Sequence, residues 1–189
     1  SSRGFRRHQS FGRFNYSLYD KYLFTGTFRA DGSSRFAPSN RWGYFPAGAF
    51  AWRLSEENFL KETSWLDDLK LRLAYGAVGS DAISSELWKQ SWASATGSYS
   101  INEVIQPLYR PASDLIANPD LKWETTITRN VGLDFTLFDR KLSGTVEVYK
   151  NTVKDLLLVR DVSPLTGFSF TQENIGSTSN KGIEISLNG

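Results

Sequence analysis

From Ile127 to Leu137 the chain alternates with a period of two. Ile127, Arg129, Val131, Leu133, Phe135 and Leu137 fall at odd positions, with Thr128, Asn130, Gly132, Asp134 and Thr136 between them. After Asp139-Arg140 the pattern resumes, with Leu142, Gly144, Val146 and Val148 against Ser143, Thr145, Glu147, Tyr149 and Asn151. Successive side chains of a strand point to opposite faces, so this stretch predicts a hairpin with one apolar face and one polar, carboxylate-bearing face. Each arm exceeds the usual ~5–6 residues of a soluble strand and suits the ~9–11 that cross a bilayer at a tilt. The pattern predicts the wall of a transmembrane β-barrel, with lipid on its apolar face and water on the other.

The same period predicts strands over Ser10–Tyr19, Tyr22–Ala30, Phe45–Leu54, Leu69–Ala77 and Gly182–Asn188. A tight turn is expected at Asp20-Lys21, and the segment Ser55–Asp68 reads as one short helix or a folded turn. The connections Asp31–Tyr44, Gly79–Leu121 and Thr152–Ser179 are long and poorly periodic, and they fall at the opposite end from the short ones. Short turns at one rim and long loops at the other are the outer-membrane arrangement, periplasmic turns and extracellular loops. The fold class expected is all-β: a section of a large antiparallel transmembrane β-barrel with about seven strands, too few and of the wrong parity to close a bacterial barrel alone. A soluble sandwich would space its turn signals more evenly, about every 8–12 residues.

Composition narrows this only a little. The 189 residues carry 22 basic and 20 acidic side chains for a net charge of +2, which gives no electrostatic case for nucleic acid. Mean hydropathy is −0.38 and no long apolar run suits a membrane-crossing helix, though alternating barrel strands average to the same mild value. There is no cysteine, hence no disulfide and no thiolate ligand or nucleophile. The chain opens Ser1-Ser2-Arg3 with no leader-like segment, and it is expected to be an internal piece of a longer protein.

Four strings then carry a resemblance. FTGTFRADGSSRFAPSNRWGYFPAGAFAWRLSEENFL, LKLRLAYGAVGS, NPDLKWETTITRNVGLDFTLFDRKLSG and NIGSTSNKGIEISL closely resemble successive barrel segments of the SusC/RagA family, TonB-linked outer-membrane transporters of Bacteroidetes. The likeness runs collinearly from about Asn15 to Leu187 and is weakest over Glu86–Ile116. It implies a barrel of about 22 strands with a plug in its lumen. It also implies a TonB box ahead of the plug and a SusD-like surface lipoprotein as lid. On this reading residues 1–189 are a partial TonB-dependent receptor β-barrel domain, with the plug and the C-terminal strands lying outside it. The implied function is TonB-dependent import of glycans or peptides across the bacterial outer membrane, without enzymatic chemistry. The alternatives are a passive porin, a siderophore-type receptor, or a soluble aromatic-rich carbohydrate-binding module.

Candidate residues follow from the faces. Arg29, Arg72, Thr128, Asn130, Asp134, Glu147 and Glu184, together with Thr25, Thr27, Lys70 and Tyr149, are expected to face the lumen, contacting a plug more often than a substrate. Trp42, Trp88, Trp92, Tyr99, Tyr109, Arg110 and Asp114 lie on the long external segments as candidate contacts to ligand or lid, with loop-on-loop packing the plainer alternative. Tyr22, Phe24, Phe28, Phe50, Trp52 and Phe135 read as lipid-facing wall, and Phe138 as rim. Arg129 falls in the lipid-facing register near the external end of its strand, where its head reaches the interface. No catalytic, cofactor or metal residues are expected. His8 is the sole histidine and has no nucleophile motif near it. Asp67-Asp68 and the Asp120, Glu124 neighbours read as solvated surface charge beside Lys70 and Lys122. Asp31-Gly32-Ser33-Ser34 lacks the remaining ligands of a calcium loop, and Gly76, Gly79 and Gly97 lack the spacing of a phosphate loop.

Overall fold

The computed structural model describes residues 6–84, 87–101 and 104–189. Seven long strands form one antiparallel sheet: β1 (Arg7–Leu18), β2 (Tyr22–Ser33), β3 (Trp42–Arg53), β4 (Leu66–Ser80), β8 (Glu124–Leu137), β9 (Leu142–Lys154) and β12 (Ser177–Asn188). They lie in the order β1-β2-β3-β4-β8-β9-β12, each beside its predecessor along the wall. The strands are 12–15 residues long, longer than the sequence reading by two to four residues at most loop ends. There the alternation fades into polar sequence while the ladder continues.

The register keeps the two faces separate. Leu71 pairs with Leu133, which pairs with Val146, which pairs with Ile185, so one face is apolar across four strands. One residue along, Arg72, Gly132 and Glu147 form the corresponding row on the other face. Aromatic pairs extend the apolar face toward β1, with Phe24 and Phe50 rings 4.9 Å apart and Tyr22 and Trp52 6.1 Å apart. The apolar side chains of this face are exposed or half-exposed, Val131 and Val148 at 48% each, which suits a wall whose outer solvent is lipid.

Both tightest connections are hairpin turns of the type that matches strand twist, in which both central residues take positive φ. Lys141 N–H donates to Phe138 O at 3.2 Å around Asp139-Arg140, as expected. At the other, Lys21 N–H donates to Leu18 O at 3.1 Å, so the loop pair is Tyr19-Asp20 and not Asp20-Lys21. Tyr19 and Asp20 both sit at φ 53°, an uncommon setting for residues other than glycine, and apolar alternation gives no sign of it. The Ser55–Asp68 connection contains a single 3-10 turn, Leu54–Glu56, followed by folded turns.

The long connections are not structureless. Gly79–Leu121 contains a hairpin of β5 (Trp92–Ile101) and β6 (Val104–Pro111) and the short β7 (Leu115–Ile116). Thr152–Ser179 contains β10 (Leu157–Asp161) and β11 (Phe170–Asn174). β7 of the first loop pairs in parallel with β11 of the second, so the two loops are stitched into one three-stranded sheet. β7, β10 and β11 are only two to five residues long, and β7 meets β11 across 55 residues of sequence, which explains why periodicity did not disclose them.

Candidate functional site

The polar face centres on one cluster. Arg72 on β4 projects toward β8 and β9, and Gly132 opposite it leaves the room. A Cβ there would lie 2.9 Å from the Arg72 guanidinium. Arg72 Nε and Nη2 donate to the two carboxylate oxygens of Asp134 at 2.8 and 2.9 Å, a two-pronged match of planar groups. Lys70 Nζ lies 3.3 Å from Asp134, and Thr145 Oγ1 donates to it at 3.1 Å. Arg72 Nη2 also reaches Glu147 at 3.5 Å, and Asn130 Nδ2 donates to the other Glu147 oxygen at 3.0 Å. Glu184 pairs directly across from Glu147 in the ladder, which sets two carboxylates side by side and leaves the row with a net negative end. Thr128 shares the face opposite Asn151. Two buried acceptors on this face, Asn130 Oδ1 and Asn151 Oδ1, have no donor among the described residues. Arg29 is separate from the cluster; it pairs with Asp31 at 2.7 Å and lies over the Phe45 ring.

At the loop end a small core holds the external segments together. Hydrogen-bonded pairing of β3 with β4 stops at Ala47 and Gly76, although both strands continue beyond. Phe45 and Trp123 fill the space, their rings 5.6 Å apart, joined by Phe36, Ala77, Ile83 and Leu121. Gly79 and Gly43 are required there, because a Cβ on either would fall within 2.5 Å of the Phe45 ring. The NPDLKWE string acts as the fastener. Asn118 Nδ2 donates to Gln172 O, Trp123 Nε1 donates to Arg41 O, and the Glu124 carboxylate accepts from Leu157 N–H. Three loops are therefore tied through one motif. The DGSSRF string does similar work: Ser33 Oγ donates to buried Asp81 at 2.7 Å, and Arg35 and Arg7 converge on the same residue. The Asp31 and Glu124 carboxylates thus have structural partners, and among the described residues no cluster of potential metal ligands forms.

The external aromatic candidates do not form one site. Trp92 and Tyr109 share one face of the β5–β6 hairpin and Arg110 falls on the other, since Trp92 pairs with Pro111, Ala93 with Arg110 and Ser94 with Tyr109. Trp42 stands apart as the first residue of β3, its ring over Gly32. Trp88 has its indole N–H buried, with Lys89 over its ring, and Asp114 serves through its backbone, its carbonyl accepting from Ser169 and Phe170 N–H. The side chain of Tyr99 lies outside the described residues. A polar cavity of about 670 Å³ between the stitched loops was not anticipated; Asn40, Asn118, Asp120, Lys122, Arg160 and Glu173 line it. These residues lie in three separate loops, and only the fold brings them together.

At the turn rim, Glu57 accepts from Tyr22 Oη at 2.7 Å and Trp52 Nε1 at 3.0 Å, with Lys21 Nζ 3.4 Å away. The Tyr22 hydrogen bond, then that of Trp52, holds the Glu57 carboxyl below the ordinary glutamate range.

The whole chain, residues 1–189, matches the family model described as TonB dependent receptor-like, beta-barrel. The chain belongs to that family. It is 41% identical over 94% of its length to the TonB-dependent receptor SusC of Bacteroides thetaiotaomicron, and 39% identical to a TonB-dependent receptor of Formosa agariphila. It spans 18% and 17% of those two relatives, about a sixth of each. Among solved structures it is similar to the RagAB peptide importer in its open-open state, with TM-score 0.82, 28% identity, and coverage of 97% of this chain and 19% of that one. The siderophore receptor PirA from Acinetobacter baumannii matches at TM-score 0.62 and 16% identity, covering 97% of this chain and 25% of that one, which is a likeness of fold alone. The all-β wall, the SusC/RagA relationship and the outer-membrane location expected from the sequence are therefore established. The family is one of transporters and receptors, not of enzymes.

Proposed function

We propose that this segment is wall and external crown of a TonB-dependent importer of glycans or peptides, within a barrel whose plug and closing strands lie elsewhere in the protein. The observation that carries the reading is the two-faced sheet with a pre-assembled charge cluster at Arg72, Asp134 and Glu147, in a chain 41% identical to SusC. A wall that grips a movable plug needs a rigid polar surface with acceptors still free, and Asn130 Oδ1 and Asn151 Oδ1 are such acceptors. In this reading Arg29, Thr128, Asn130, Asp134, Glu147 and Glu184 hold the plug, and Trp92, Tyr109 and Arg110 with Trp42 and Trp88 meet a SusD-like lid or the cargo. The relatives split between a SusC-named receptor and a peptide importer, so both nutrient classes stand.

The test is uptake by cells with and without the gene, supplied with labelled oligosaccharides or labelled peptides as sole nutrient. The proposal expects loss of uptake of one class on deletion, and equal loss in wild-type cells treated with a protonophore. Uptake that survives the protonophore identifies a passive pore, and loss of iron-siderophore uptake alone identifies a siderophore receptor.

A further inference from the structure

Arg129 is not alone on the lipid face. It pairs with Lys150 on β9, and Lys150 pairs with Lys181 on β12, so three cations occupy one hydrogen-bonded row. Tyr75 precedes them in that row, its ring 5.8 Å from the Arg129 guanidinium. Arg129, Lys150 and Lys181 are all exposed, and none has a carboxylate partner among the described residues. Apart from Asp67 in the bulge at the turn rim, the outward positions of the seven strands carry no carboxylate. The acidic residues that neutralise cations elsewhere are all on the inner face or in the loops. On the turn side of the row the next outward positions are Val131, Val148 and Ile183; on its other side Ala77 and Ile127 are followed along the row by polar Thr152 and Ser179, then come Gly79, Thr125, Lys154 and Ser177, and the long loops lie beyond. The cations therefore mark the top of the apolar band at the external end, where acyl chains give way to headgroups.

Beside them runs a groove of about 940 Å³, bounded by all three cations and by Phe14, Phe24, Phe50, Leu73, Val131 and Val148. Its floor comes from Gly26 paired with Gly48 in the same row, two outward positions with no side chain. Adding a Cβ at Gly26 would meet nothing within 4 Å, so the gap is not a packing requirement of the sheet. Apolar length with unpaired positive charge at one end matches one kind of ligand. The geometry points to a binding site for a phosphate-bearing lipid of the outer leaflet, its headgroup on Arg129, Lys150 and Lys181 and an acyl chain in the Gly26–Gly48 groove. Arginine and lysine suit a phosphate by charge and hydrogen bonding together, and low dielectric at the acyl boundary strengthens both. The inference rests on the wall's placement in the outer membrane and is independent of what the transporter carries.

The complete transporter, reconstituted in phosphatidylcholine nanodiscs doped with phosphatidic acid, tests it by native mass spectrometry of retained lipid. Wild type should retain phosphatidic acid over phosphatidylcholine. Each of Arg129→Gln, Lys150→Gln and Lys181→Gln should reduce that preference about fivefold, and the triple variant about 100-fold, from the usual worth of a basic residue at an anionic surface. Gly26→Leu, whose Cβ would meet nothing within 4 Å and whose side chain enters the groove, should lower retention of the acyl-bearing lipid while the cations remain. Arg13→Gln, on the inner face, should leave the preference unchanged. A preference that persists in the triple variant overturns the site. Inorganic phosphate competing as well as phosphatidic acid overturns the lipid assignment in favour of a simple anion site. A retained polypeptide in place of lipid assigns the face to a protein partner and also overturns it. None of these readings depends on transport, so failure of the import proposal leaves them interpretable.

Discussion

At the scale of single residues, face decides consequence. Leu133 is outward between Leu71 and Val146, so Leu133→Arg puts a charge in mid-membrane at a cost of about 2–4 kcal/mol. The expected outcome is loss of the heat-modifiable folded barrel in outer-membrane fractions. Thr128→Ala, one face over, should leave folded barrel at wild-type level. Arg72 is the sharpest inward test. Arg72→Ala strands the Asp134 and Glu147 carboxylates close together, and removing one partner of a shielded pair typically costs about 3–5 kcal/mol when buried and less in a partly wet lumen. Barrel should still form but melt earlier in detergent, and Arg72→Lys, lacking the fork, should recover only part of the loss. Alternation alone disclosed which residues share this face. It did not disclose that Gly132 makes room for Arg72, because that depends on which strand sits opposite. Arg129 was legible as a cation on the lipid face; extending the alternation past Val148 to Lys150 and back from Ile183 to Lys181 reveals the rest of the row.

At the scale of elements, the strands were legible and the loops were not. A strand in a two-solvent wall writes its period into ten or more residues, whereas β7 and β11 are set by pairing across 55 residues of sequence and leave no local mark. The external core is where this matters most. Trp123→Ala removes a ring buried to 6% exposure that joins Phe36, Phe45 and the Arg41 carbonyl, and a loss of roughly 3–5 kcal/mol is expected. Because the membrane strands are paired independently, the loss should appear as faster proteolysis of the external loops with the barrel intact. The turn rim offers a pH test. Glu57 has a carboxyl held below the ordinary value of 4.5, so its clasp on Tyr22 and Trp52 is fully present above that value. It is lost as pH falls through the lowered folded value. Amide-exchange protection across 54–66, taken relative to the intrinsic rate at each pH, should therefore be high at neutral pH and fall only in acid below the ordinary glutamate range, and Glu57→Gln should flatten that dependence.

At the scale of the whole molecule, the sheet is one arc of a wall whose two solvents differ. Seven strands in unbroken antiparallel order leave β1 and β12 unpaired on their outer edges among the described residues, as the proposed reading of a section of a larger barrel requires. The stitched external loops form a crown at one end and the short turns a rim at the other, so the arc has an up and a down as well as an in and an out. Everything inferred about plug, lid, cargo and lipid depends on that assignment of faces. It is tested most directly by single cysteines, since the chain has none of its own. Cysteine placed singly at Thr128, Asn130, Val131, Leu133, Asp134 and Phe135 of the complete transporter, in outer membranes, would be probed with a water-soluble maleimide. The account predicts labelling at Thr128, Asn130 and Asp134 and protection at Val131, Leu133 and Phe135. Labelling with the opposite phase, or with no alternation, would contradict it.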